Sequence, residues 1–238
     1  MKKAAFIFIT ALLVFFETGC ATSGTAITGQ KDPIALVSVI SNRDINWKGE
    51  EPTNPNTFSF FGNSALRADP DMTLVSYADE LINTAESLFR NAIDSTDLLN
   101  LVDKETVLSS RAYREARTNQ PARTLVKASS YAFINSRDRN FPAALAGETG
   151  IGRVMFVEFD FTKSMYTGFG KNGECRADLD MTILILDSGG KILYNETFHS
   201  WSRSTIRVSG GVYSQSGLME LFEEAIDEAY IKLLESLA

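Results

Sequence analysis

The chain has 238 residues, 44% hydrophobic and 22% charged, a balance that suits one large folded domain and excludes a disordered chain. Its 30 acidic residues outnumber 23 Lys and Arg for a net charge of −7, which argues against the counterion-releasing contacts of nucleic-acid binding. One His and two Cys exclude most multi-ligand zinc, haem and iron–sulfur sites, and no cofactor is expected.

Residues 1–20 read MKKAAFIFITALLVFFETGC. Lys2 and Lys3 precede an apolar run from Ala4 to Phe16, the length of a signal-peptide core and short of the roughly 20 residues that cross a bilayer. Glu17, Thr18 and Gly19 then lead to Cys20. This order resembles a bacterial lipoprotein signal, although Glu17 stands where that group carries an aliphatic residue. The resemblance implies removal of residues 1–19, acylation of Cys20 and a lipid bilayer as partner. Two other routes stand beside it: cleavage after Ala21, or retention as an uncleaved anchor. With Cys20 lipidated, Cys175 is the remaining thiol and no intramolecular disulfide forms.

Residues 20–32 are small and polar and read as a lipidated flexible tether, leaving 33–238 as a single domain. Ile34–Ile40 is a β-branched apolar run and predicts a buried strand. Residues 41–70 carry Pro52, Pro55 and Pro70 and predict a long loop with a short strand at Thr57–Phe61. Apolar residues from Leu74 to Ile93 recur at steps of three and four, the pattern of an amphipathic helix over 73–93. Leu98–Val102 reads as a strand, Asp103 with Thr106 as a short helix start, and Phe141–Thr149 as a helix stopping at Gly150.

Arg153–Phe161 predicts a strand, followed by a Gly-rich loop at 162–174. Cys175–Asp187 and Lys191–Arg203 form a hairpin around Ser188-Gly189-Gly190, with Thr205–Val208 as a further edge. Leu218 to Leu237 closes the chain as a long amphipathic helix. The fold class is therefore α/β: a mixed β-sheet with packed helices, and a C-terminal hairpin followed by that helix.

Candidate chemistry is sparse. Gly168-Phe-Gly170-Lys-Asn-Gly173 matches a dinucleotide fingerprint, but a strand follows where a helix N-terminus is needed. His199 is the sole imidazole; strand period turns Ser200 to the opposite face and leaves Asn195, Thr197, Trp201 and Arg203 beside it. Glu158 and Asp160 share one strand face, as do Asp178 and Asp180. Paired in register, these four form a site for a hard cation, a glycosidase-type acid pair, or a solvated strand face. Trp47, Phe58, Phe60 and Phe61 form either a partner-binding patch or a lid on the core. Arg111, Arg114, Arg117 and Arg123 are a local basic concentration suited to lipid head groups, an acidic partner or plain solvation. No metal site is expected.

The order of Ile34–Ile40, the 73–93 helix, Leu98–Leu108, Ala143–Gly150 running into Val154–Phe161, and Leu184–Tyr194 before the last helix resembles a group of envelope lipoproteins. The group includes the outer-membrane activators of peptidoglycan synthases and the curli-secretion channel lipoprotein; their shared domain is similar to the N-terminal domain of TolB. The resemblance implies a TolB N-terminal-domain-like fold over about 33–237. It also implies an outer-membrane, periplasm-facing location and a non-enzymatic role in binding another envelope protein. Small-ligand or cation binding is the alternative reading, with a hydrolase behind it. A loop at 162–174 is too short for a membrane-spanning strand pair.

Overall fold

The computed structural model describes residues 32–48, 67–68, 74–96, 98–118, 125–169 and 172–237. In chain order these form β1 (Ile34–Asn42), β2 (Asn46–Trp47), β3 (Arg67–Ala68), α1 (Leu74–Asp94), α2 (Lys104–Leu108), α3 (Arg111–Arg114) and β4 (Leu125–Lys127). There follow α4 (Asn140–Thr149), β5 (Arg153–Phe169), β6 (Asn172–Asp187), β7 (Ile192–Trp201), β8 (Ile206–Val208), β9 (Val212–Tyr213) and α5 (Gln215–Leu237). Cys20, the 20–32 tether apart from Asp32, and the expected strand at 57–61 lie outside the described residues.

The main sheet runs β4-β1-β5-β6-β7 and is mixed. β1 lies parallel to β5, Ile34 beside Arg153 and Ser41 beside Phe159, whereas β4–β1, β5–β6 and β6–β7 are antiparallel. A parallel pair needs a crossover connection, and the long path from β1 through the helices to β5 supplies it. β2 extends the sheet beside β5 and β8 beside β6, and β3 and β9 form a separate two-stranded piece.

One face is fully covered. Met155, Val157, Phe159 and Phe161 of β5, with Cys175, Ala177, Leu179, Met181, Ile183 and Ile185 of β6, alternate at every second residue and pack into one buried cluster with α1 and α5. α1 supplies Tyr77, Leu81, Ile82, Phe89 and Ile93, and α5 supplies Leu218, Phe222, Ile226, Tyr230 and Leu233. The helices are tied together where Tyr230 donates its hydroxyl to the Ala85 carbonyl at 2.6 Å. Burial pushes the Cys175 thiol up to about 12, so it is an inert core group.

The second face is covered over half its length. Tyr113, Phe141 and Leu145 of α3 and α4, with Val107 of α2, pack on Ala35, Val37, Val154, Phe156 and Leu186. Asp103 caps α2 by accepting from the Thr106 amide at 3.1 Å, and Gly150 ends α4 in the left-handed region at φ 75°. The Glu148 carboxylate accepts from the Arg111 and Ala112 amides, fastening α4 to α3 and holding its own pKa below the usual carboxylate value.

Two expected elements differ. Residues 98–102 make a single bridge, Leu101 to Ile34, because the chain turns away at Asp103 to open α2. Residues 162–174 are not a loop: β5 and β6 continue as one long hairpin to Phe169 and Asn172. The period-two alternation holds as far as Met165, with Lys163 and Met165 on the core side and Thr162 and Ser164 on the other, and the register then shifts at Tyr166, between Met165 and Thr167. Gly168 lies opposite Gly173, where a Cβ would run into the Thr167 carbonyl, so glycine here permits close strand approach instead of a turn.

A charged network joins α1 to the segments around it. Glu86 Oε1 accepts from Arg90 Nε at 2.7 Å, from the Tyr131 hydroxyl at 3.1 Å and from Lys104 Nζ at 3.3 Å. Removing the carboxylate leaves the shielded Arg90 guanidinium without its anion. Glu86→Ala is expected to cost about 3 kcal/mol in urea unfolding, and Glu86→Gln distinctly less.

Candidate functional site on the open half of the sheet

Beyond Phe156 and Leu184 the covering helices end, and the second face turns polar. The same strand positions become Glu158, Asp160, Thr162 and Ser164 on β5. On β6 they become Thr182, Asp180, Asp178 and Arg176, and on β7 Asn195, Thr197, His199 and Trp201. The register sets Asp160 opposite Asp180 and Asp180 opposite His199, so three titratable side chains cross three strands in one row. His199 Nδ1 lies 2.6 Å from Asp180 Oδ1, and the next row is closed by the Thr182–Thr197 hydroxyl pair at 2.8 Å. Loss of hydration and the facing Asp180 raise the Asp160 pKa, and loss of hydration with the adjacent Asp160 raises that of Glu158.

Asp178 shares the face but not the environment. It is 1% exposed and accepts from Ser164 Oγ at 2.5 Å, with Lys48 Nζ at 3.4 Å and an Arg176 guanidinium nitrogen at 3.5 Å. Its charge is matched within the protein, so it stands apart from the Glu158, Asp160 and Asp180 group. Among the described residues no three Asp, Glu, His or Cys side chains are arranged to hold a metal ion.

Next to this row runs a stack that alternates cation and ring. Lys232 Nζ of α5 sits 4.9 Å from the Trp201 ring centre, the Arg176 guanidinium 5.5 Å from Trp201 and 5.7 Å from Tyr166. Tyr166 is 59% exposed and Trp201 48%. Arg176 is held from below by Ser164 and Asp178, which fixes the guanidinium between the two rings. Farther out, Phe169 at the hairpin end is 90% exposed.

Toward the covered half, an open cleft of about 470 Å³ lies between the sheet and the 134–137 turn. Phe156, Leu184, Ile40 and Ile134 give it an apolar floor and wall, and Glu158 and Arg137 stand at its rim.

The other sequence candidates are distributed elsewhere. Trp47 packs edge-on against Tyr213 with ring centres 6.2 Å apart, with Lys163 over both rings, at the margin of the main core. Phe58, Phe60 and Phe61, and Cys20, lie outside the described residues. Ser200 faces inward and donates to the Ala225 carbonyl at 2.7 Å, and Ser202 is buried, donating to the Ser204 carbonyl. Neither serine is presented to His199. Arg203 leaves the strand face and pairs with Glu228 of α5 at 2.6 Å. Arg111 pairs with Glu115 at 2.8 Å.

Sequence reasoning passed over Tyr166, Arg176 and Lys232 as site residues. Tyr166 falls in the segment whose glycines predict a loop; the β5–β6 hairpin runs through it, and the Arg176 guanidinium lying over both rings places Tyr166 beside Trp201. Lys232 arrives from α5, which no local pattern reveals.

The facing carboxylates predict a pH signature. A pKa raised in the folded state means that the native protein holds the Asp160 proton better than the unfolded chain, so stability falls as pH rises above about 4. Asp160→Asn is expected to stabilise by about 0.5 kcal/mol at pH 7, and the gain to vanish below about pH 4, in urea unfolding at the two pH values.

No protein-family model matches the chain, and no curated protein matches it. Among solved structures it is similar to the LpoB C-terminal domain from Salmonella enterica, at 10% identity and a TM-score of 0.33, over 71% of this chain and 82% of that one. It is also similar to a hypothetical protein from Chlamydia trachomatis, at 10% identity and a TM-score of 0.36, over 88% of this chain and 99% of that one. At these values neither likeness assigns a function to this chain.

Proposed function

We propose that this chain is a membrane-anchored lipoprotein of the cell envelope that acts by binding another envelope protein, without catalysis. Residues 1–19 are the signal peptide, Cys20 carries the acyl chains, residues 20–32 are the tether and 33–238 the binding domain, facing the periplasm from the outer membrane. The observation that carries the binding role is the exposed Tyr166–Arg176–Trp201 stack on the uncovered half of the sheet. Tyr, Trp and Arg are the side chains in which protein-binding energy concentrates, and here the guanidinium is already fixed, so little ordering remains to be done on association.

The anchor is tested by fractionation. Cys20→Ala is expected to move the protein from the membrane pellet to the soluble fraction, because the acyl chains supply the attachment. Persistence in the pellet would mean an uncleaved apolar segment instead. The binding face is tested by a photo-reactive amino acid at the exposed position 169, beside the stack, in intact cells. One crosslinked envelope protein is expected, and Trp201→Ala should reduce its yield at least about tenfold. Equal yield from Trp201→Ala would remove the stack from the interface.

The 470 Å³ cleft favours a second reading, small-ligand binding, in which Glu158 at the rim receives a cationic group over the apolar floor. A thermal-shift screen of amphiphilic amines that responds in the wild type and not in Glu158→Gln would support it.

A further inference from the structure

The cleft on the second face carries two charges of opposite sign that form no ion pair with each other. Strand register sets its floor: Phe156 lies between Ser38 of β1 and Leu184 of β6, with Asn195 of β7 beyond, and Glu158 lies between Ile40 and Thr182 in the next row. Four strands at their usual spacing make this floor about 14 Å wide. The 134–137 turn closes one side, adding Ile134 to the apolar lining and bringing Arg137 to the rim. The turn is held in place, since the Asn135 amide donates to the Arg117 carbonyl at 3.0 Å and Asn135 Oδ1 accepts from the Arg137 amide at 3.0 Å. Among the described residues neither Glu158 nor Arg137 has an ion-pair partner within the chain. Glu158 has lost part of its hydration, and the adjacent Asp160 adds charge of the same sign.

We propose that the cleft binds a short apolar peptide with both termini free, its ammonium group at Glu158, its carboxylate at Arg137 and its side chains on Phe156, Leu184 and Ile40. This rests on the small-ligand reading of the cleft and narrows it to one chemical class. A simple amine answers Glu158 and is left facing a second cation, Arg137; a simple anion has the reverse difficulty. A zwitterion with an apolar body answers both charges and the floor between them. The guanidinium takes a carboxylate through two parallel hydrogen bonds, a geometry that an amide end does not reproduce. Three extended residues span about 10 Å, within the width of the floor. The cleft volume of about 470 Å³ is that of a small-ligand site. Asn195, at the end of the Phe156 row, offers both an amide donor and an acceptor to the peptide groups. The end of a protein chain carries only one of the two charges, so a free peptide fits where a partner's terminus does not.

Calorimetric titration of the full chain in detergent tests this with the tripeptide Ala-Leu-Ala and with its N-acetylated and C-amidated forms. The free peptide is expected to bind, and blocking either end to weaken binding at least about tenfold. Two variants separate the ends. Glu158→Gln should make N-acetylation indifferent while amidation still weakens binding, and Arg137→Gln should do the reverse. Both side chains are exposed, so neither exchange disturbs the core. No binding of the free peptide at about 5 mM, or equal affinity for free and blocked forms, overturns the proposal. Titration with phenethylamine tells the two readings of the cleft apart. A response to the amine but not to the peptide keeps the small-ligand reading and removes this one; silence to both removes both.

Discussion

Between Arg153 and Phe169, β5 is paired antiparallel with β6 from Asp187 back to Asn172, and the placement of the other elements follows from this one register. It sends Met155, Val157, Phe159 and Phe161 to the side where α1 and α5 pack, together with the alternate residues of β6. It sends Val154 and Phe156 to the side of α3 and α4. A slip of one residue would turn both sets over, exposing the main core and burying Glu158 and Asp160. The parallel strand β1 is then held against β5, where the Asn42 side chain extends the ladder by accepting from the Phe161 amide at 2.8 Å and donating to its carbonyl at 2.7 Å.

The same register creates a problem of buried charge at the far end of the hairpin. Lys163 is buried on the core side and Asp178 on the other. Charges taken from water need partners of good geometry, and each has them from a different source. Lys163 Nζ donates to the Ile45 carbonyl and lies over the rings of Trp47 and Tyr213; Asp178 takes Ser164, Arg176 and Lys48. Residues 45–48 serve both, since the Lys48 amide also donates to the Lys163 carbonyl at 2.7 Å. Solving the Asp178 charge places the Arg176 guanidinium, and its place between Tyr166 and Trp201 follows. The exposed stack is therefore an outgrowth of an internal electrostatic requirement.

Elements with strong periodicity were legible in the sequence. The α1 and α5 stripes, the Asp103 cap, the Gly150 stop and the β6–β7 hairpin needed local rules only. The hairpin extension is hidden because glycines at 168, 170 and 173 look like turn residues, whereas Gly168 and Gly173 are a cross-strand pair. The gathering of Glu158, Asp160 and Asp180 was conditional on a register that sequence alone does not supply. The separation of Asp178 from them was out of reach, because its neutralising partners Lys48 and Ser164 lie 130 and 14 residues away.

The two halves of the second face differ in what their residues accomplish. In the covered half, Val154, Phe156 and Leu186 bury apolar area under three short helices, and their identities follow from packing. In the open half, Asp160 opposite Asp180 is a local conflict: like charges face each other across a ladder, and burial with the facing Asp180 disfavours ionisation of Asp160. Two large aromatics remain in solvent beside them. A threonine pair, as at Thr182 and Thr197 in the next row, would satisfy the same strand positions at no electrostatic cost. Local rules broken without structural return are where a functional or strained site is to be sought. Asp160 and Asp180 are accordingly the residues of the open half that packing does not account for.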